Sequence, residues 1–97
     1  MQVRLTKWLL VLLLAVSLYG QTAVVTGAVT RRNGAPAVNV TVSVGGRAGL
    51  TDVRGRYRIA GVPFGRQTWR VTHAGRVLRE VQIEVSGAVV THDERLP

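Results

Sequence analysis

Val40, Val42 and Val44 alternate with Thr41 and Ser43, the two-residue period of a strand with one face in a core and the other in water. The same period returns along the chain. Tyr57 and Ile59 alternate with Arg56 and Arg58, Trp69 and Val71 with Thr68, Arg70 and Thr72, and Val81, Ile83 and Val85 with Glu80, Gln82 and Glu84. These patterns predict strands over 24–30, 39–44, 48–51, 56–62, 67–73, 77–85 and 88–96. The aliphatic residues, Tyr57 and Trp69 form the expected core. Gly27, inside the first strand, is expected at a bulge or a point of close approach. Beyond the N-terminal region no segment carries the 3.6-residue period of an amphipathic helix.

Turn residues punctuate the pattern: Asn33-Gly34, Gly45-Gly46, Ala74-Gly75 and Ser86-Gly87. Asp52 is expected to cap a tight turn with its carboxylate, and Gly55, three residues on, to take a positive φ. Pro63 cannot extend a ladder and Gly65 permits a reversal, so Val62-Pro63-Phe64-Gly65 should end one strand and start the next. Short strands at spacings of roughly 8–12 residues predict an all-β, antiparallel two-sheet sandwich.

The N-terminal region follows another logic. Arg4 and Lys7 precede an apolar run from Trp8 to Leu18, interrupted only by Ser17. That run is shorter than the roughly 20 residues of a membrane span and matches a secretory h-region. Residues 1–22 are therefore expected to be a signal peptide, an N-terminal hydrophobic helix cleaved between Ser17 and Ala23. Residues 23–97 form the expected exported domain, with no membrane span after leader removal. The chain has no cysteine, which excludes acylation as a lipoprotein and any disulfide staple.

Charge adds a little. Of 13 basic residues, Arg4 and Lys7 fall in the leader, and the remaining 11, all arginine, against five acids give 11 − 5 = +6. A basic exported domain favours anionic envelope partners. The arginines are scattered, without the dense stripe and interleaved aromatics of a nucleic-acid binder, so no nucleic acid is expected.

In order and spacing, Val25-Thr26-Gly27-Ala28-Val29, Asn33-Gly34-Ala35-Pro36, Val40-Thr41-Val42, Thr51 to Tyr57, Val62-Pro63-Phe64-Gly65 and Trp69-Arg70-Val71 resemble the carboxypeptidase regulatory-like domain. The resemblance covers about Val24 to Leu96. It implies a seven-stranded Greek-key sandwich of the prealbumin (transthyretin-like) type, grouped with carbohydrate-binding-like folds. It also implies a structural or interaction role beside other modules, with no catalytic centre. From the residues themselves no cofactor or metal is expected, weak metal binding by His92-Asp93-Glu94 being the disfavoured alternative. Related adhesin domains close a Lys–Asn isopeptide bond, which a chain without lysine after Lys7 cannot form. Transthyretin-like hydrolases depend on a His/Arg cluster and a tyrosine-containing tail. This chain ends His92-Asp93-Glu94-Arg95-Leu96-Pro97, which does not match.

Candidate chemistry is sparse. His73 is expected as a packed or rim residue, and His92-Asp93-Glu94 as a solvated charged tail. Phe64 is the one aromatic expected to be partly exposed. With Arg54, Arg56 and Arg66 nearby in sequence, it forms the expected contact surface for an anionic or saccharide partner. The function expected is an exported, non-enzymatic module with a structural or protein-interaction role in the cell envelope or outside the cell. Its partner would be an unidentified protein or an envelope polysaccharide. A carbohydrate-binding module using the Phe64 turn and the nearby arginines is the alternative, and a transthyretin-like hydrolase is disfavoured. Edge strands in so small a sandwich also favour an edge-paired homodimer.

Overall fold

The structure is a computed structural model and describes residues 20–97. All but the last three residues of the expected leader lie outside that range. The described residues form eight strand segments: β1 (Thr22–Thr30), β2 (Thr41–Val44), β3 (Arg47–Leu50), β4 (Arg56–Pro63), β5 (Gly65–His73), β6 (Arg76–Val85), β7 (Val89–Thr91) and β8 (Glu94–Arg95). One sheet has the order β4-β1-β7, with β8 also beside β1; the other has the order β3-β2-β5-β6. Between them lies the core the alternation predicts: Val25, Val29, Val42, Val44, Tyr57, Ile59, Val62, Trp69, Val71 and Val85 are all buried. Trp69 is fully enclosed, which gives so small a domain its largest single block of apolar area.

The expected last strand departs from the prediction in two ways. It is broken into β7 and β8, and both run parallel to β1, where antiparallel pairing was expected. The direction follows from the route. After β6, residues 86–88 carry the chain from one sheet to the other, and it arrives alongside β1 running the same way. The break falls at His92-Asp93. There the Asp93 carboxylate accepts the Ala28 N–H at 2.8 Å, serving a β1 donor that neither β7 nor β8 reaches.

Gly27 is the close-approach point of β1: a β-carbon there would overlap the carbonyl oxygen of His92. The bulge lies elsewhere. Ala23 and Val25 pair with Val62 and Ile59, so two β4 residues, Ala60 and Gly61, face one on β1, and Gly61 takes φ 72°. A second irregularity, between Val71 and Thr72 of β5, leaves Leu78 as the extra residue on β6.

The two flanks of the sandwich differ. On the β3–β4 flank Gly49 carries no side chain, and a β-carbon there would sit 3.5 Å from Ile59, so the sheets draw together. Arg47 lies over Gly61 on the same flank. On the β6–β8 flank Arg79 and Glu94 span the gap at 3.6 Å. Thr51, buried beyond β3, accepts from Val40 N–H at 3.1 Å and donates to the Ala37 carbonyl at 2.6 Å, pinning the loop before β2.

Candidate functional site

β4 separates the residues that sequence proximity grouped together. Eight strand residues extend roughly 23 Å, and Arg56 pairs opposite Ala28 while Pro63 pairs opposite Thr22, at the two ends of β1. Arg54 and Arg56 therefore lie at one end of the sandwich, Phe64 and Arg66 at the other. Proximity along an extended strand is distance in space. Arg56 shares a hollow of about 350 Å³ with Thr26, Ala28, Tyr57 and Asp93.

At the Phe64 end the aromatic ring is half-buried against the core, and Arg66 is exposed opposite Glu84. Gly65 takes φ 111° in the reversal. The Gln67 amide donates to the Pro63 carbonyl at 3.2 Å and reaches the Phe64 carbonyl at 3.5 Å, which fixes the turn. Beside it lies a polar hollow of about 330 Å³ lined by Ser43, Gly45, Gly46, Gln67, Thr68 and Arg70.

The Asp52 turn forms as the Asp-to-Gly spacing predicts. One carboxylate oxygen accepts the Arg54 and Arg56 N–H groups, each at 2.9 Å, and Gly55 takes φ 75°. The Arg56 bond, then the Arg54 bond, holds the Asp52 carboxyl below its ordinary range. A side chain at Gly55 would come within 2.5 Å of the Val29 carbonyl. All of Asp52's visible chemistry goes into the turn.

The C-terminal segment is not a solvated tail. His92 is half-buried, with its ring edge-on to Trp69 at a centroid distance of 4.8 Å, and its Nε2 lies 3.2 Å from Glu94 Oε1. Trp69 Nε1–H donates to the Tyr57 hydroxyl at 3.1 Å, and that hydroxyl donates to the His92 carbonyl. Burial, opposed by the Trp69 bond and reinforced by Asp93 and Glu94, pushes the Tyr57 hydroxyl up to about 12. The sequence gives no local sign of this chain of bonds, because its members come from β4, β5 and the break between β7 and β8.

His73 sits exposed at the end of β5. With Arg31 and Arg32 it rims a hollow of about 360 Å³ whose wall includes Val40, Leu78 and Leu96. His92, packed on Trp69, is not part of it.

The remaining surface of note is the outer edge of β6. This ten-residue strand pairs with β5 on one side and forms the end of its sheet. Val81 and Ile83 are half-buried and Glu80, Gln82 and Glu84 exposed. Val77 of β6 is 55% exposed, and Val89 of β7, in the other sheet, is 65% exposed.

No curated protein matches the chain. Among solved structures, a chain of a type II cohesin–X-dockerin complex from Acetivibrio cellulolyticus, an N-terminal interface mutant, is similar with a TM-score of 0.64 and 19% identity, over 76% of this chain and 56% of that one. The C-terminal interface mutant of that complex gives 0.52 and 19%, over 75% and 52%. A 9R-lipoxygenase from Cyanothece PCC8801 gives 0.58 and 17%, over 76% of this chain and 16% of that one. At such identities the likeness is one of fold, and this chain spans little more than half of the cohesin–X-dockerin chains it matches. The sequence itself is more specific: residues 24–96 match a described family from β1 through β8, and the chain belongs to the carboxypeptidase regulatory-like domain family.

Proposed function

We propose that this domain is an exported, non-enzymatic module that acts by binding another protein in the cell envelope or outside the cell. The observation that carries the reading is the β6 edge, a long strand hydrogen-bonded within its sheet on one side, with aliphatic side chains half-exposed along it. Among the described residues its other side is unpaired, and such an edge offers a row of backbone donors and acceptors to a partner strand. The basic leader followed by an eleven-residue apolar run, Trp8 to Leu18, supports export. We read β7 and β8 as one interrupted strand, the seventh of a prealbumin-like Greek key.

A photo-crosslinking residue at Gln82, in the full chain in its producing cells, tests the reading. Adducts with protein are expected there and not from the same residue at Thr41, on the central strand β2. Equal yields at both positions would overturn it. The N-terminal mass of the recovered chain tests export, with cleavage expected between Ser17 and Ala23.

The polar hollow beside Phe64 favours a second reading, a carbohydrate-binding module. Gln67, Thr68, Ser43 and Arg70 line it, and the half-buried Phe64 with Arg66 stands at the neighbouring turn. Envelope-glycan pull-downs at two salt concentrations test this. Retention at high salt that disappears in Phe64→Ala supports it, whereas retention that fades with salt reports arginine electrostatics alone.

A further inference from the structure

We propose that the end of the sandwich carrying Arg31, Arg32, Arg54 and Arg76 docks on an anionic phospholipid bilayer, with Leu50, Val53 and Val77 entering the headgroup layer. This surface lies beyond the β6 edge and takes a different kind of partner.

The strand registers bring these residues to one end. In the first sheet Ala28 pairs with Arg56 and Thr30 with Arg95. In the second, Leu50 pairs with Thr41, Thr41 with Thr72 and Thr72 with Val77. The two sheet ends coincide, because Arg31 and Arg32, just past β1, share one hollow with His73, the last residue of β5. The turn before β4 lies there too, since the Gly55 carbonyl accepts the Val29 N–H at 2.8 Å.

Basic charge gathers at this end. Arg31, Arg32, Arg54, Arg56, Arg76 and Arg95 are all exposed there, and among the described residues none of them is in an ion pair. Two acids offset part of that charge. Asp52 caps the turn with its carboxylate, and Asp93 shares the hollow of Arg56. The other acids are engaged elsewhere: Glu80 by Arg70 and Glu94 by Arg79, while Glu84 stands opposite Arg66.

Exposed apolar side chains gather at the same end. Among the described residues the large exposed aliphatics are Leu50, Val53, Val77 and Val89, and the first three are here. Val53, in the Asp52 turn, is 79% exposed and Leu50 64%. Val42 and Val71 are buried, so Thr41 and Thr72 beside them point outward, and paired residues share a face. Leu50 and Val77 therefore end one outward row across four strands, about 14 Å long, with two threonines between them.

The combination selects the partner. A soluble polyanion would use the arginines and leave Leu50, Val53 and Val77 in water. A bilayer offers phosphates above an apolar interior, so it uses both. The hollow repeats that order on a smaller scale, with Arg31, Arg32 and His73 around a wall of Val40, Leu78 and Leu96.

Flotation of the chain recovered from its producing cells tests this, with vesicles of phosphatidylcholine alone or mixed with phosphatidylglycerol. Binding is expected to the mixed vesicles and not to the neutral ones, and should weaken as salt is raised. Replacing both Arg31→Gln and Arg32→Gln should lower the partition coefficient by more than tenfold, at about fivefold per charge. That loop is held by the Arg31 N–H on the Ala35 carbonyl and by Arg95 on the Arg32 carbonyl, so the circular dichroism should stay that of the parent. Val53→Asp should also weaken binding, with every arginine in place.

The chain has no cysteine, so Val53→Cys and Ala88→Cys can each carry an environment-sensitive dye. Ala88 accepts the Val24 N–H at the opposite end of β1. A blue shift on mixed vesicles is expected at Val53 and not at Ala88. Equal binding to both vesicle types, binding unchanged in the arginine double variant, or a response at Ala88 as large as at Val53 overturns the assignment. Binding to soluble polyphosphate with no dye shift on vesicles overturns it as well, leaving bare arginine electrostatics. The Gln82 photo-adducts report the β6 edge separately, so failure at one surface leaves the other standing.

Discussion

Trp69 Nε1–H donates to the hydroxyl of Tyr57 at 3.1 Å, across the interior from β5 to β4. Because that hydroxyl also donates to the His92 carbonyl, one side chain ties both sheets to the C-terminal segment. Tyr57→Phe leaves the ring in place but strands a buried indole N–H. The expected loss is about 1–3 kcal/mol, or a fall in Tm of about 4–8 °C per kcal/mol for a domain of this size. A double-mutant cycle with Trp69→Phe, followed by chemical denaturation, should show coupling between the two positions. Additive losses would remove the network from the stability argument.

The same hydroxyl gives the protein an alkaline limit. Tyr57 is raised from 10.0 to about 12, first by burial. A group whose folded pKa is raised contributes stability that is complete below its unfolded pKa and is lost as pH rises through the folded one. Stability should therefore fall between about pH 10 and 12, on the order of 2–3 kcal/mol, and Tyr57→Phe should flatten that limb. Tyr19 and Tyr57 are the two tyrosines, so in a Tyr19→Phe background tyrosinate absorbance reports Tyr57 directly. A titration midpoint near pH 10 with the fold intact would contradict the buried relay.

Much of this architecture is legible in the sequence, for a local reason. Val40/Val42/Val44, Tyr57/Ile59 and Trp69/Val71 are buried as their alternation predicts, because side-chain phase in a strand is set by immediate neighbours. The Asp52 turn is legible for the same reason. What escapes is set by pairing between distant segments. His92-Asp93 looks like a charged tail until β7 and β8 are laid beside β1. Then Asp93 serves a backbone donor on β1 and His92 closes over Trp69. The Phe64 and Arg54/Arg56 grouping fails because neighbours in sequence along β4 stand at its opposite ends. That β6 ends its sheet among the described residues is legible only once strand order is known, since nothing in the sequence of β6 says on which side it pairs.

Asp52 sets a weaker limit at acid pH. Its two backbone bonds, to Arg56 N–H and then Arg54 N–H, hold its carboxyl below 3.8. A depressed folded pKa contributes stability that is present above the unfolded pKa and lost as pH falls through the folded value. The urea midpoint should drop below pH 4 in the parent and show less acid dependence in Asp52→Asn, whose amide oxygen still accepts both N–H groups. Asp52→Ala should lower the midpoint at every pH. Parallel acid limbs in parent and Asn variant would assign the effect to other carboxylates.

Gly27 and Gly34 separate two reasons for a glycine. Gly34 takes φ 87° in the turn after β1, and a β-carbon there meets nothing within 4 Å. Gly34→Ala therefore costs backbone strain alone, about 1–2 kcal/mol. Gly27 has no positive φ; a β-carbon there would overlap the His92 carbonyl oxygen and lie 2.8 Å from the Tyr57 hydroxyl. The obstacle is mainly backbone, which cannot rotate away like a flexible side chain. Gly27→Ala must push the β7–β8 link off β1, at about 1–3 kcal/mol, and break the Tyr57–His92 bond in doing so. Its signature is a tyrosinate midpoint moved from about 12 toward 10.0, which Gly34→Ala leaves in place however much stability it removes. If both variants titrate like the parent, the close passage of His92 over β1 is not what holds the C-terminal segment in the fold.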